Sequence, residues 1–183
     1  MVAYLIGAIP TGYIVARLKG IRDIRQHGSG NIGATNVSRL FGIHYFFLIF
    51  FLDAGKAFLY MYAIKPYFPM DYLYFFAGIL LFGNTRSIFL HGSGGKGVAT
   101  LCGLLGALNM PALGVLLAMW CVSMAIIKTV GISSIIAISC LPLYGLMVHD
   151  HFFFLFSCIT ALWIVWLHKS NICTYWEIRC TKR

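Results

Sequence analysis

Charge is scarce in this chain: Asp, Glu, Lys and Arg supply 10% of its 183 residues, against about a quarter in a soluble domain. Such a composition suits lipid, not water, as the solvent. Paired cysteines are missing as well. The six cysteines, at 102, 121, 140, 158, 173 and 180, stand singly, with no CxxC and no Cys/His ligand spacing, so they read as small apolar side chains and not as metal ligands. HExxH and GxSxG are absent, which removes two common hydrolase patterns. No repeat relates the two halves, which weakens a transporter reading, since several transporter folds carry internal symmetry.

What the chain has is apolar length. Hydrophobic residues make up 60% of it, and a membrane span needs about 20 mostly apolar residues. Seven stretches qualify as candidate helices: 1–18, then roughly 45–64, 68–83, 97–109, 111–127, 131–148 and 152–167. The stretches between 97 and 148 nearly run together, so six helices is the alternative count. The first stretch has no basic n-region and more spans follow it, so it reads as a helix and not as a signal peptide. No length remains for a separate soluble domain. The expected fold is therefore an all-α integral membrane protein, a single polytopic domain over 1–183.

A net charge of +9 could suggest nucleic acid, but the basic residues collect in a few interspan loops. With seven crossings, Arg17, Lys19, Arg22, Arg25, Arg39, Arg86, Lys96, Lys128, Lys169, Arg179, Lys182 and Arg183 share one side. Lys65 stands on the other, and Lys56 lies inside a span. The positive-inside rule then places the N-terminus outside and the loops 18–44 and 84–97, with the tail, in the cytoplasm.

Both glycine-rich segments fall on that cytoplasmic face. Gly28-Ser29-Gly30-Asn31-Ile32-Gly33-Ala34-Thr35-Asn36, closed by Arg39, combines backbone freedom with neutral donors and can wrap an anion; a turn and helix cap is the other reading. Ser93-Gly94-Gly95-Lys96-Gly97 runs directly into an apolar helix, where free N–H groups, the helix dipole and a lysine make a ready phosphate site. It is not a Walker A loop. Leu90 stands where the first glycine is required, and Gly97 follows the lysine in place of Ser or Thr, which argues against nucleotide hydrolysis. Asp53 and Lys56 sit three residues apart inside a span, as a structural ion pair or as a substrate-facing site. Ser133 with Ser134, and His168 with Asn171, are smaller polar signals. His149 and His151 bracket Asp150 on the side away from the glycine segments.

GSGNIGATNVSR and SGGKGVAT, with DAGK between them and IGAIPTGYIVARLKG at the start, resemble the bacterial acyl-phosphate:glycerol-3-phosphate acyltransferase family, the PlsY type, over nearly the whole chain. The resemblance implies a seven-helix protein of the bacterial plasma membrane, with its active site facing the cytoplasm and no metal or other cofactor. It implies transfer of a fatty acyl group from acyl phosphate to the 1-hydroxyl of glycerol 3-phosphate, giving lysophosphatidate and phosphate. Ser29, Arg39, Lys96, His168 and Asn171 would surround glycerol 3-phosphate. Gly94, Gly95 and Gly97, with Thr35, Asn36 and Ser133 or Ser134, would hold the acyl phosphate. Gly28, Gly30, Asn31, Asp53 and Lys56 complete the expected substrate-binding set, membrane lipid is the expected surrounding partner, and oligomeric state is left open. The family is thought to use a substrate phosphate as the base. No histidine here stands in the HxxxxD pattern of other glycerolipid acyltransferases.

Three departures stand out. Gly83 is followed by Asn84 where the family usually has histidine, Ser93 replaces a common lysine, and the tail reads Ile172-Cys173-Thr174-Tyr175-Trp176-Glu177. A catalytically weakened homologue and an anion transporter or channel are the competing expectations.

Overall fold

The computed structural model describes residues 1–181. Lys182 and Arg183, expected in the basic tail, lie outside the described residues, as does the side chain of Arg179. Eleven α-helices and short 3-10 turns account for the described architecture, with no strand among the described residues. The chain divides into two compact units, Met1–Met110 and a second that begins at Pro111.

The first unit holds α1 (Val2–Ala8), α2 (Thr11–Leu18), α3 (Ala34–Phe41), α4 (Ile43–Ile64), α5 (Met70–Thr85) and α6 (Val98–Leu108). The first apolar stretch is broken, not continuous: Pro10 has no N–H and its ring restricts Ile9, so α1 ends at Ala8 and α2 starts at Thr11. α6 packs along α4, α1 along α5, and α3 against α4. Lipid gives helices little hydrophobic reason to associate, so close backbone approach at small residues supplies the contact. Gly103 lies on the backbone of Ala54 and Gly7 on that of Leu80, and neither has room for a Cβ. Beneath the long loop, Ala16, Ile24, Ile32, Val37, Ile49 and Leu90 form a buried cluster. This cluster seats residues 18–44 on α4 and forms a helix, α3, where only a loop was expected.

The second unit holds α7 (Met110–Ile127), whose first residue closes the first unit, then α8 (Val130–Ser139), α9 (Leu141–Met147), α10 (His151–Leu167) and α11 (Lys169–Thr181). Pro142 near the start of α9 interrupts the sixth apolar stretch. The Asp150 carboxylate accepts from Phe153 N at 2.9 Å and caps α10, so Asp150 serves helix initiation. α10 packs on α9 and α8, and α11 reaches α8. The tail is helical, bent 53° from α10.

Among the described residues, four helical segments are long and apolar enough to cross a membrane: Ile43–Tyr67, Met70–Leu90, Met110–Ile127 and Val130–Met147. The bent pair His151–Leu167 and Lys169–Glu177 makes a fifth if taken as one span, and Val2–Leu18 and Val98–Leu108 are shorter apolar helices. Each of the seven apolar stretches thus falls on helix. On α4 the rings of Phe47 and Phe51 and the side chain of Leu59 face outward, as a lipid-facing surface requires.

Candidate active site

In the first unit both glycine segments are built by their own neighbours. Gly28 and Gly30 have positive φ, +58° and +69°, and the turn they make closes around Asn36. That side chain is buried. Its Nδ2 donates to His27 O at 3.0 Å and Asn31 O at 2.8 Å, and its Oδ1 accepts from Ser29 N at 2.9 Å. Asn31 Oδ1 in turn accepts from Gly33 N at 2.7 Å. Asn36 and Asn31, expected as ligands, therefore spend these groups shaping the loop. Ser29 and Arg39 are exposed, and Thr35 is half-buried at the start of α3.

The second segment lies on the last turn of α5. Gly94 rests on the Asn84–Thr85 backbone without space for a Cβ. Gly95 N donates to Asn84 O at 3.0 Å. Gly97 is left-handed at φ +84° and serves as the N-cap of α6, so the loop turns into the helix with the N–H groups of the first turn leading. Lys96 is half-buried between them. Burial, and secondarily the like charge of Arg39, pushes its ammonium pKa below the ordinary value. The fold thus brings Arg39 of one segment into the field of Lys96 of the other, and a bound anion would relieve both unfavourable effects.

Arg25, which sequence reasoning counted only as loop charge, ties the two segments together. Its guanidinium pairs with Asp23 at 2.7 Å and stacks over Tyr13 at 5.8 Å. It also donates to Leu90 O at 3.3 Å and Ser93 Oγ at 3.5 Å. Arg25's hydrogen bonds hold the Asp23 carboxyl down at about 2. Position 93 lacks a lysine, yet a guanidinium reaches it from the other loop. Ser87 Oγ donates to Ala8 O at 2.6 Å and Tyr4 Oη to Arg86 O at 2.8 Å, anchoring the loop to α1. Thr100, in the first turn of α6, has a fully buried Oγ1 with no partner among the described residues.

The geometry of Asp53 and Lys56 favours the structural reading. Lys56 Nζ lies 2.7 Å from Asp53 Oδ1 and donates to Ile9 O at 2.7 Å and Asn84 Oδ1 at 3.0 Å. Asp53 Oδ1 also accepts from Thr11 Oγ1 at 2.7 Å. The pair satisfies the carbonyl that the break at Pro10 exposes, and leaves no ammonium donor for a substrate.

In the second unit, Ser134 Oγ donates to Val130 O at 2.8 Å and accepts from Trp120 Nε1 at 3.2 Å. Ser133 Oγ is buried against Met124 Sδ at 3.8 Å. His168 is buried at the bend after α10, its Nδ1 2.8 Å from Ile164 O. That carbonyl can only accept, so Nδ1 carries the proton and a neutral ring has Nε2 as its acceptor. The Asn171 amide lies against Gly131 at the start of α8. Among the described residues no group of three or more His, Cys, Asp or Glu could hold a metal ion.

An α-helical membrane chain that carries two glycine loops joined by Arg25, with a half-buried lysine beside an arginine, is the class these features define. The chain belongs to the glycerol-3-phosphate acyltransferase family, whose model matches residues 1–177, across both units. It is 35% identical over 186 residues to the glycerol-3-phosphate acyltransferase of Staphylococcus haemolyticus, covering 94% of this chain and 90% of that relative. It is also similar to crystal structures of PlsY, an integral membrane glycerol 3-phosphate acyltransferase. The match to the glycerol 3-phosphate form has a TM-score of 0.91 at 32% identity, covering 97% of this chain and 90% of that one. The match to the lysophosphatidic acid form has a TM-score of 0.85 at 31% identity, covering 97% and 89%.

Proposed function

We propose that this protein transfers a fatty acyl group from acyl phosphate to the 1-hydroxyl of glycerol 3-phosphate, releasing lysophosphatidate and phosphate. The observation that carries this reading is Lys96: a half-buried cation in a loop of glycine N–H groups, beside the like charge of Arg39. Both substrates are anions whose mutual repulsion must be offset at a partly dehydrated site. The backbone of Gly94–Gly97, with Thr35, takes the acyl-phosphate head group. Ser29, Arg39 and Lys96 take glycerol 3-phosphate. From the second unit we carry His168, Asn171, Ser133 and Ser134 forward as contributors, on residue type and motif.

An acyl phosphate is already a mixed anhydride, so the protein needs no covalent nucleophile. The glycerol oxygen attacks the carbonyl carbon, the bond from that carbon to the phosphate oxygen breaks, and the phosphate leaves with its electron pair. A substrate phosphate accepts the hydroxyl proton. Positioning of the two reactants supplies much of the rate. Both units serve one acyltransferase domain over 1–183. The seven apolar helical segments cross a bacterial plasma membrane with the N-terminus outside and the glycine loops in the cytoplasm. The loops' basic residues support that orientation.

The test is lysophosphatidate formation by purified protein from acyl phosphate and glycerol 3-phosphate. A folded sample that makes none contradicts the reading.

A further inference from the structure

The last turn of α5 connects the glycine loop to an ion pair buried in another helix. Lys56 has three N–H donors, directed to Asp53, Ile9 O and the Asn84 side chain. An ammonium can only donate, so the atom of Asn84 that faces it, at 3.0 Å, must be the amide oxygen. That turns the Asn84 Nδ2 away from Lys56 and toward the loop, where a Cβ on Gly95 would meet it at 3.2 Å. The Asn84 carbonyl meanwhile accepts from Gly95 N at 3.0 Å, and Gly94 lies on the same peptide. Asn84 is 7% exposed. Its main chain holds the loop from beneath and its side-chain amide lies against Gly95, while Lys56, itself held by Asp53 and the break at Pro10, sets the direction of that amide.

We propose that Asn84 is a positioning residue: oriented by Lys56 and accepting from Gly95 N, it holds the Gly94–Gly97 loop in the arrangement that takes a phosphate group. The inference rests on reading that loop as the anion site. Asn84 does not touch the substrate. It lowers the ordering cost that a loose glycine loop would incur on binding.

The experiment measures the affinity of the purified protein for inorganic phosphate by ligand-dependent thermal stabilisation, for wild type, Asn84→Leu, Asn84→Asp and Asn84→His. Leucine removes the acceptor for Lys56 and the amide that lies against Gly95, and aspartate keeps the acceptor for Lys56 but loses the N–H. Each should weaken phosphate binding about tenfold. A neutral histidine offers one acceptor and one donor nitrogen and should stay within about threefold of wild type. In the acyl-transfer assay the Leu and Asp variants should raise KM for acyl phosphate more than they lower kcat. A purely structural role would lower melting temperatures without ranking phosphate affinities in this order. Folded Leu or Asp variants with wild-type phosphate affinity overturn the proposal, as does a wild type with no measurable phosphate affinity. If Asn84→Leu does not fold, the Asp and His variants decide. A wild type that binds phosphate with the predicted ranking yet makes no lysophosphatidate sinks the acyl-transfer reading and supports this one.

Discussion

Lys56 and Asp53 meet at 2.7 Å on one face of α4, with side chains 10% and 12% exposed. The pair is shared with Thr11 and with the Ile9 carbonyl, so one apolar helix is fastened to the break between two others. Removing one partner of a buried pair strands a charge and typically costs about 3–5 kcal/mol. Lys56→Met should therefore lower the unfolding midpoint sharply in detergent. Adding Asp53→Leu in the same chain should recover part of the loss, because no uncompensated charge remains. A double variant worse than either single would contradict the structural role.

Lys96 sets an alkaline limit. Its pKa is depressed by burial first and by Arg39 second, so the ammonium is lost at a lower pH than for a free lysine, and anion binding should fall as pH rises through that value. Removing the like charge in Arg39→Gln raises the Lys96 pKa, so the alkaline limb of phosphate affinity should move to higher pH even though overall affinity drops. An unmoved or lowered limb would show that Arg39 does not act on Lys96. Lys96→Ala and Arg39→Ala should each reduce turnover by at least about tenfold, the loss of a charged hydrogen-bonding partner.

Gly94→Ala places a Cβ against the Thr85 backbone, which cannot yield as a side chain can. Acyl transfer should fall at least about tenfold, with the loop displaced and not merely stiffened. Gly78, on the same helix as Thr85, has nothing within 4 Å of its Cβ position, so Gly78→Ala should keep wild-type activity and serves as the control. Equal activities in the two would remove the steric basis of the site.

Thr100 carries a buried hydroxyl without a partner among the described residues. Thr100→Val conserves the shape and removes the cost of that unsatisfied group, so stability should hold or rise by about 1 kcal/mol. Thermal unfolding checks the sign. A loss of phosphate affinity in this variant would instead assign the hydroxyl to the ligand.

The apolar stretches were legible because a span's length and composition are local properties, and all seven lie on helix. The breaks and additions depend on tertiary contact. α3 forms where Val37 joins a buried cluster with Ile24 and Ile49, a burial that no window of sequence displays. At the site, the glycine segments and Lys96 announced themselves through residue type alone. The neighbourhood of Arg39 and Lys96 did not, nor did Arg25 reaching Ser93 across 68 positions or Lys56 reaching Asn84 across 28. Asn36 shows the converse. Its residue type suggested a ligand, while folding spends its amide on His27, Ser29 and Asn31.

The central claim is tested most directly by supplying purified wild-type protein with glycerol 3-phosphate and either acyl phosphate or acyl-CoA, and following lysophosphatidate and released phosphate together. The account predicts lysophosphatidate and phosphate in equal amounts from acyl phosphate, none from acyl-CoA, and loss of both products in Lys96→Ala. Product from acyl-CoA alone, or undiminished product in Lys96→Ala, would contradict it.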